Sequence, residues 1–477
     1  MNVRMSVYIL GFLTLFEGIF MVVPTITAAV YQEPELMLFA GFAVGLMLIG
    51  FLITRFKPAN KTLFARDGFV IVAVSWILLS VFGALPMYIC GAIPKFVDAM
   101  FESVSGFTTT GASILHDLDS LPKCVIMWRS FMHWIGGMGV LVFIMAILPL
   151  AGGQNMYLMK AESPGPSVSK LVPRVRKTAL LLYVIYFVLT LLEIVLLLIG
   201  GMPFFDAINI AVATAGTGGF GIKNAGMMIY SPFCIWVVTI FMFLFGVNFA
   251  SYFLLLHRKF REAFSSEVKV YLGIFLFAVL TITLDIRHLF ENVSTALMHS
   301  SFTISSLYSS TGFSTVDFNQ WPTFSRTLLV MLMFVGACAG STGGGIKVSR
   351  FIIFFKNMHN ELRVMTHPRQ VKKVKLDGHQ VDSEVIRSVN VYFACYIMLY
   401  AVNMLVLSLD HLDLTTNFTA VVATMNNIGP GLNLVGPASN YDVYSGSSKC
   451  MLIFNMLAGR LELFPIILLL SPSTWKK

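Results

Sequence analysis

The sequence predicts an all-α polytopic membrane protein: a leading two-helix hairpin, then four repeats that each run span, short half-helix, span. Three observations predict it. Of the 477 residues 57% are hydrophobic and only 12% charged, with a mean hydropathy of +0.79, whereas soluble proteins carry roughly 25% charged residues. Apolar runs near the ~20 residues that a bilayer span requires recur along the chain. Between them a polar, glycine-ended stretch appears four times.

The runs fall at 5–30, 35–54, 69–91, 124–151, 178–201, 231–256, 268–289, 322–357 (interrupted), 385–409 and 449–471. The first has too long an apolar core for a cleavable signal peptide, and no small-residue cleavage site closes it. Alternate loops hold nearly all the Lys and Arg, for example Arg55, Lys57, Lys61 and Arg66, then Lys160, Lys170 and Arg174. The positive-inside rule places those loops and both termini in the cytoplasm. The net charge of +9 is therefore a topology signal. Anionic membrane lipid is an expected partner of these basic loops; nucleic acid is not. Cys90, Cys124, Cys234, Cys338, Cys395 and Cys450 show no CxxC pairing and signal neither a metal nor a disulfide.

In chain order, 1–60 is the leading transmembrane hairpin. Its Glu17 reads either as a functional carboxylate or as an interhelical hydrogen-bonding group. Repeat 1 occupies 61–160, repeat 2 161–262 and repeat 3 263–358; a basic cytoplasmic linker at 359–384 leads to repeat 4 at 385–477.

The repeats align on a glycine: 101–111 (FESVSGFTTTG), 209–219 (NIAVATAGTGG), 302–312 (FTISSLYSSTG) and 419–429 (TAVVATMNNIG). Ahead of each stands a capping residue, namely Asp98, Asp206, Glu291–Asn292 and Asp413, which reads as a helix N-cap. The following apolar stretch, about 10–13 residues, is too short to cross a bilayer and reads as a re-entrant half-helix. Irregular backbone at mid-membrane is tolerated only where it lines water or is buried in protein. Four such turns converging on one axis make a pore. Backbone carbonyls at such turns suit a cation, with glycine sparing the axis a Cβ. The turns lack carboxylates and the TVGYG sequence, which argues against a divalent-selective ring or a long multi-site filter and for a shorter one.

A second irregularity is 335–347, VGACAGSTGGGIK, inside an otherwise apolar run. Six small residues in succession (Gly340, Ser341, Thr342, Gly343, Gly344, Gly345) hold a helix poorly. The stretch reads either as a flexible loop beneath the glycine turns or as a close helix–helix contact. Arg460, inside the last span, needs a water-filled cavity or a carboxylate, because a bare arginine there costs roughly 2.5–3.5 kcal/mol. His133 and Trp134, before Gly136, Gly137 and Gly139, read as packing chemistry. GTGGFG at 216–221 matches a dinucleotide fingerprint by letter, but apolar helical segments flank it where a strand is needed. GSTGGGIK at 340–347 fails as a phosphate loop for the same reason. No clustered His, Asp or Glu on facing helices suggests an enzyme.

SGFTTTGAS, TGGFG, SSTGFSTVDF, NNIGPGL, AGSTGGGIK and GRLELFP, spread from about residue 70 to the end, together resemble the membrane subunits of Trk/Ktr-type potassium uptake systems, in particular the TrkH/TrkG branch. The resemblance implies a pseudo-fourfold pore, with potassium as the transported ion and no organic cofactor. It implies a filter of backbone carbonyls at Thr110, Gly111, Gly218, Gly219, Thr311, Gly312, Ile428 and Gly429. It implies an intramembrane gating loop at 336–346 involving Gly340, Ser341, Thr342, Gly343, Gly344, Gly345 and Lys347, with Arg460 facing the pore. A homodimer in a bacterial inner membrane and a cytoplasmic nucleotide-binding ring protein as regulatory partner are implied as well. Related plant transporters with serine at the first filter position favour sodium; Gly111 favours potassium. A less selective K⁺/Na⁺ pathway and a proton-coupled symporter are the alternatives. The fourth turn departs most, with Asn426 and Asn427 in place of hydroxyl residues and Pro430 after the glycine.

Overall fold

The computed structural model describes residues 2–60, 63–139, 175–367 and 373–475. The end of the span expected at 124–151, the boundary between the first two repeats, and Lys61, Lys160, Lys170 and Arg174 lie outside them. What is described is mostly helical with almost no sheet, as expected of an all-α membrane protein.

The leading hairpin consists of α1 (Val3–Phe20) running on into α2 (Val22–Tyr31), and α3 (Leu36–Arg55). Glycines let its two arms approach closely: a Cβ on Gly18 would lie 2.7 Å from the Met47 nitrogen, and one on Gly50 2.7 Å from the Gly11 carbonyl. Small residues serve this purpose where no hydrophobic drive distinguishes helix from lipid. Glu17 is buried on α1. Its carboxylate oxygens meet no hydrogen-bond partner among the described residues, so the interhelical bond is not made.

Next come α4 (Ala65–Ile89), the short α5 (Phe96–Phe107) and α6 (Lys123–Gly137). Then follow α7 (Val175–Ile199), the short α8 (Phe204–Ala215), α9 (Pro232–Phe245) and α10 (Phe249–Leu256). The third group is α11 (Ser266–Ile286), the short α12 (Val293–Tyr308), α13 (Thr323–Phe334) and α14 (Val348–Thr366). A two-stranded hairpin, β1 (Lys375–Leu376) and β2 (His379–Gln380), precedes α15 (Ser383–Leu407). The short α16 (Leu414–Met425), α17 (Gly446–Arg460) and α18 (Phe464–Leu470) follow, with a last helical turn at Pro472–Trp475.

Among the described residues six helices are long and apolar enough to cross a membrane, and the bent pair Pro232–Phe245 and Phe249–Leu256 makes a seventh. The sequence pattern predicted ten spans; of the remaining three, 124–151 runs past the described residues, and 322–357 and 449–471 are broken. The run expected at 231–256 bends by 95°, because Gly246 ends α9 and the Asn248 side chain caps Ala250 N of α10. The run expected at 449–471 breaks where Glu462 and Leu463 take φ of 53° and 67°. Both breaks are flanked by apolar residues on either side, so a hydropathy average runs through them.

Three of the short helices have 12 residues and α12 has 16, a turn longer than expected. At 1.5 Å per residue none spans a ~30 Å hydrocarbon core. The expected caps need correction. Only Asp413 caps as predicted, accepting from Thr416 N at 3.0 Å. Asn292 stands at the N-cap without a side-chain bond. Asp98 and Asp206 sit at the third helical position and pair with lysines instead: Asp98 with Lys449 at 2.7 Å and Asp206 with Lys223 at 2.8 Å. The linker expected at 359–384 is in part the continuation of α14 to Thr366.

Candidate functional site

Each short helix ends in the same backbone turn. In α5 the Thr109 N–H bonds to the Gly106 carbonyl and the Thr110 N–H to that of Ser105; Thr217 and Gly218 repeat this after α8, Ser310 and Thr311 after α12, and Asn427 and Ile428 after α16. This paired bonding closes a helix through a left-handed residue. That residue is Thr109, Thr217, Ser310 or Asn427, with φ of 55, 54, 63 and 53°. None is glycine, so each turn carries roughly 1–2 kcal/mol of backbone strain. Such strain persists where surrounding structure fixes it, typically at a functional site. Two residues on, Gly111, Gly219, Gly312 and Gly429 also have positive φ, from 67° to 96°.

Those glycines stand against one another's carbonyls in cyclic order. A Cβ on Gly111 would press into the Gly218 carbonyl oxygen, one on Gly219 into that of Thr311, and one on Gly312 into that of Ile428. A Cβ on Gly429 would lie 2.7 Å from the carbonyl oxygen of Thr110, which closes the ring. All eight predicted filter residues thus come together. Among the described residues none donates a hydrogen bond to the carbonyls of Thr110, Gly111, Gly218, Gly219, Thr311, Gly312 or Ile428. Of these residues Thr110, Gly218, Gly219, Thr311 and Ile428 are buried, and Gly111 and Gly312 half-buried; buried carbonyls without donors are rare and costly. Gly429 differs, since its carbonyl accepts from the Tyr441 hydroxyl at 2.7 Å, leaving one lone pair. Hydroxyls near the glycines serve each other: Thr108 with Thr110 at 2.8 Å and Ser309 with Thr311 at 2.7 Å.

Above the ring opens a cavity of about 350 Å³ whose lining includes all four glycines, with His116, Lys223, Asn224 and Asp317 farther out. At its rim Lys449 ties Asp98 to Asp442, and Asp442 also meets His116 at 3.1 Å. The hydrogen bond from Lys449 holds the Asp442 carboxyl below its ordinary value.

Below the ring lies the stretch 335–347. It is non-helical, the loop alternative rather than the helix contact. Its two ends meet through the Gly336 N–H to Ile346 carbonyl bond at 2.9 Å. Gly344 N donates to Ser310 Oγ of the third turn at 2.6 Å, and a Cβ on Gly344 would lie 2.5 Å from the Asn426 carbonyl of the fourth. The loop therefore abuts the ring from beneath. Lys347 is buried and turns its ammonium back on the loop, donating to the Gly343 and Gly344 carbonyls. Ser341 Oγ donates to the Cys338 carbonyl at 2.7 Å and Thr342 Oγ1 to that of Phe245 at 3.2 Å. Gly340 gives its carbonyl to Phe249 N at 3.0 Å, joining the loop to the α9–α10 bend.

Arg460 ends α17 and reaches across to the loop. It donates to the Thr342 carbonyl at 2.9 Å and to the carbonyls of Gly136 and Gly137 at the end of α6. It also lines a cavity of about 70 Å³ with Gly340, Ser341, Gly343, Gly344, Gly345 and Lys347. Among the described residues carbonyls and this cavity meet its charge. Glu462 pairs with Arg350 instead.

Three residues escaped the sequence reading of the site. Glu267 Oε1 accepts from both Ala339 N and Ser349 N at 2.9 Å, so one buried carboxylate staples the loop to the start of α14. Glu102 and Arg129 form a buried ion pair beside the first turn. No local motif marks any of them; the only signal was that charge inside an apolar segment needs a partner. His133, read as packing, bridges two turns: Nδ1 meets the Gly106 carbonyl at 2.7 Å and Nε2 accepts from Phe220 N at 3.2 Å.

Comparison with known proteins bears on what this ring handles. The family model described as TrkH, cation transport protein, matches residues 36–477. The Trk system potassium uptake protein TrkH of Salmonella typhimurium is 35% identical over 486 residues, covering 100% of both chains. TrkG of Escherichia coli is 34% identical, covering 100% of this chain and 99% of its own. The crystal structure of the potassium transporter TrkH from Vibrio parahaemolyticus superposes with a TM-score of 0.89 at 31% identity, over 100% of both chains. The chain belongs to the TrkH family of cation transport proteins.

Proposed function

We propose that this protein carries potassium ions into the cell across a bacterial inner membrane, through a pore formed by its four half-helices. Potassium is the cargo, and the carbonyls of Thr110, Gly111, Gly218, Gly219, Thr311, Gly312, Ile428 and Gly429 replace part of its hydration shell. One observation carries this reading: four positive-φ glycines in a closed ring beside buried carbonyls that lack donors. The C-terminal ends of the half-helices add negative potential at the same place. The repeats run 61–160, 161–262, 263–358 and 385–477, with the basic linker at 359–384 between the last two and both termini in the cytoplasm. The loop at 336–346, held by Lys347, Arg460 and Glu267, is the gate.

The relatives' Trk system naming supports other Trk components as partners. We assign this chain a homodimeric state and a cytoplasmic nucleotide-binding ring protein as regulator, with anionic lipid against its basic loops. The test is growth of a potassium-uptake-deficient strain on low potassium. Rescue is expected; failure despite normal membrane abundance overturns the proposal.

The gate makes its own prediction. Glu267→Ala removes two bonds to a charged acceptor, each worth about 1.5–3 kcal/mol, and frees the loop from the start of α14. Basal rubidium flux is expected to rise severalfold at unchanged membrane abundance. Wild-type flux would return the loop to a packing role.

A further inference from the structure

We propose that the Glu102–Arg129 pair is a positioning element that sets the potassium-over-sodium discrimination of this pathway; the inference rests on the filter assignment above. The pair is closed to solvent, with side chains 0% and 1% exposed. Glu102 projects from α5 and gathers the chain just past the first turn: it accepts from Ser113 Oγ at 3.0 Å and from Ile114 N at 3.1 Å. Arg129 projects from α6 and donates to the same carboxylate through Nε at 2.8 Å and Nη2 at 2.6 Å. Its remaining nitrogen, Nη1, donates to the Gly221 carbonyl at 3.2 Å, and its guanidinium lies 4.2 Å from the Phe220 ring centroid.

Ser113 and Gly221 stand two residues after Gly111 and Gly219 respectively. One guanidinium fork therefore ties the exit of the first turn to the exit of the second. Ser113 passes the constraint on, since its carbonyl accepts from Tyr441 N at 2.9 Å, and the Tyr441 hydroxyl holds the Gly429 carbonyl at 2.7 Å. Three of the four quadrants are linked this way. The positions aligned with Glu102 are Ile210, Thr303 and Ala420, so the ion pair belongs to the first repeat alone. A ring of carbonyls discriminates against the smaller sodium ion only while its members are kept from closing in, and a shift of about 0.5 Å is enough to spoil a preorganised site.

The pair is also electrically balanced. Arg129 borders the outer cavity, and without Glu102 an unneutralised cation would face the incoming one.

The discriminating variant is Arg129→Lys, which keeps the charge and loses the planar fork. The full-length protein in potassium-uptake-deficient cells is assayed for initial rates of potassium and sodium uptake, alone and in competition, with membrane abundance and thermal stability recorded. R129K and Glu102→Gln are each expected to lower the potassium-over-sodium ratio at least about threefold, a small part of what one charged hydrogen bond is worth. E102Q should also slow potassium entry. Wild-type ratios in abundant R129K and E102Q protein would overturn the proposal and leave the pair a packing device. Should either fail to reach the membrane, Ser113→Ala, which cuts one joint and leaves the ion pair in place, must lower the ratio; a wild-type ratio there overturns the proposal too. Gly111→Ser run in parallel separates the two levels. If it alone shifts selectivity, the pair has no positioning role. If it does not, the filter assignment itself fails.

Discussion

Gly111→Ser is expected to abolish most potassium-over-sodium discrimination while leaving a folded, membrane-inserted protein. Two penalties meet at this position. Its φ of 75° costs an L residue roughly 1–2 kcal/mol. In addition, the new Cβ would press into the Gly218 carbonyl oxygen, a backbone atom that cannot rotate away as a side chain would. The first turn must retreat or the second must yield, and either opens the ring. Gly91→Ser separates the two penalties: φ there is 78° and nothing lies within 4 Å of the added Cβ. It pays the dihedral cost far from the ring and should keep wild-type selectivity. Initial uptake rates of rubidium and sodium provide the readout, with a fall in their ratio of about tenfold expected for G111S, equivalent to about 1.4 kcal/mol. Unchanged rates for both ions would remove Gly111 from the filter.

Why the ring was legible in the sequence follows from where its constraints act. Each turn is specified locally, by a short apolar helix, a small or polar residue able to take a left-handed conformation, and a glycine two residues later. Four copies at matching offsets make a weak local pattern specific. The loop at 335–347 was legible for a similar reason, since consecutive glycines cannot propagate a helix. What was not legible is what depends on distant pairings. Arg129 meets Glu102 and Gly221, Lys449 meets Asp98 across the first and fourth repeats, and Glu267 meets Ala339 and Ser349. Each looked like an isolated charge until the fold supplied its partner. The bend at Gly246 to Asn248 stayed hidden because its flanks are as apolar as a continuous span. Asp98 and Asp206 were misread as caps because capping is the commoner use of an acid near a helix start; lysines from elsewhere claimed them.

Arg460→Ala is expected to raise basal flux by about an order of magnitude, the larger of the two gate effects. Arg460 is the tie that joins the loop to α6: its guanidinium bonds Thr342 in the loop and Gly136 and Gly137 at the end of that helix. Glu267 and Lys347, by contrast, hold the loop to α11 and to itself. Removing the arginine deletes several charge-assisted bonds, each worth about 1.5–3 kcal/mol, and takes a positive charge from beside the ion's exit. Both changes favour conduction, one by freeing the loop and the other by lowering the electrostatic barrier. Arg460→Lys distinguishes them, because it retains the charge but cannot reach three carbonyls with a planar fork. If the tie dominates, the lysine variant leaks nearly as much as alanine; if the charge dominates, it stays near wild type. Thermal stability of the purified protein guards against a trivial cause, since the helix end at Gly459 packs closely against the Met425 carbonyl and must stay in place for the comparison to hold. A flux that stays at the wild-type level in stable R460A protein would mean that the loop is held shut without this tie, and the gate would then rest on Glu267 and Lys347 alone.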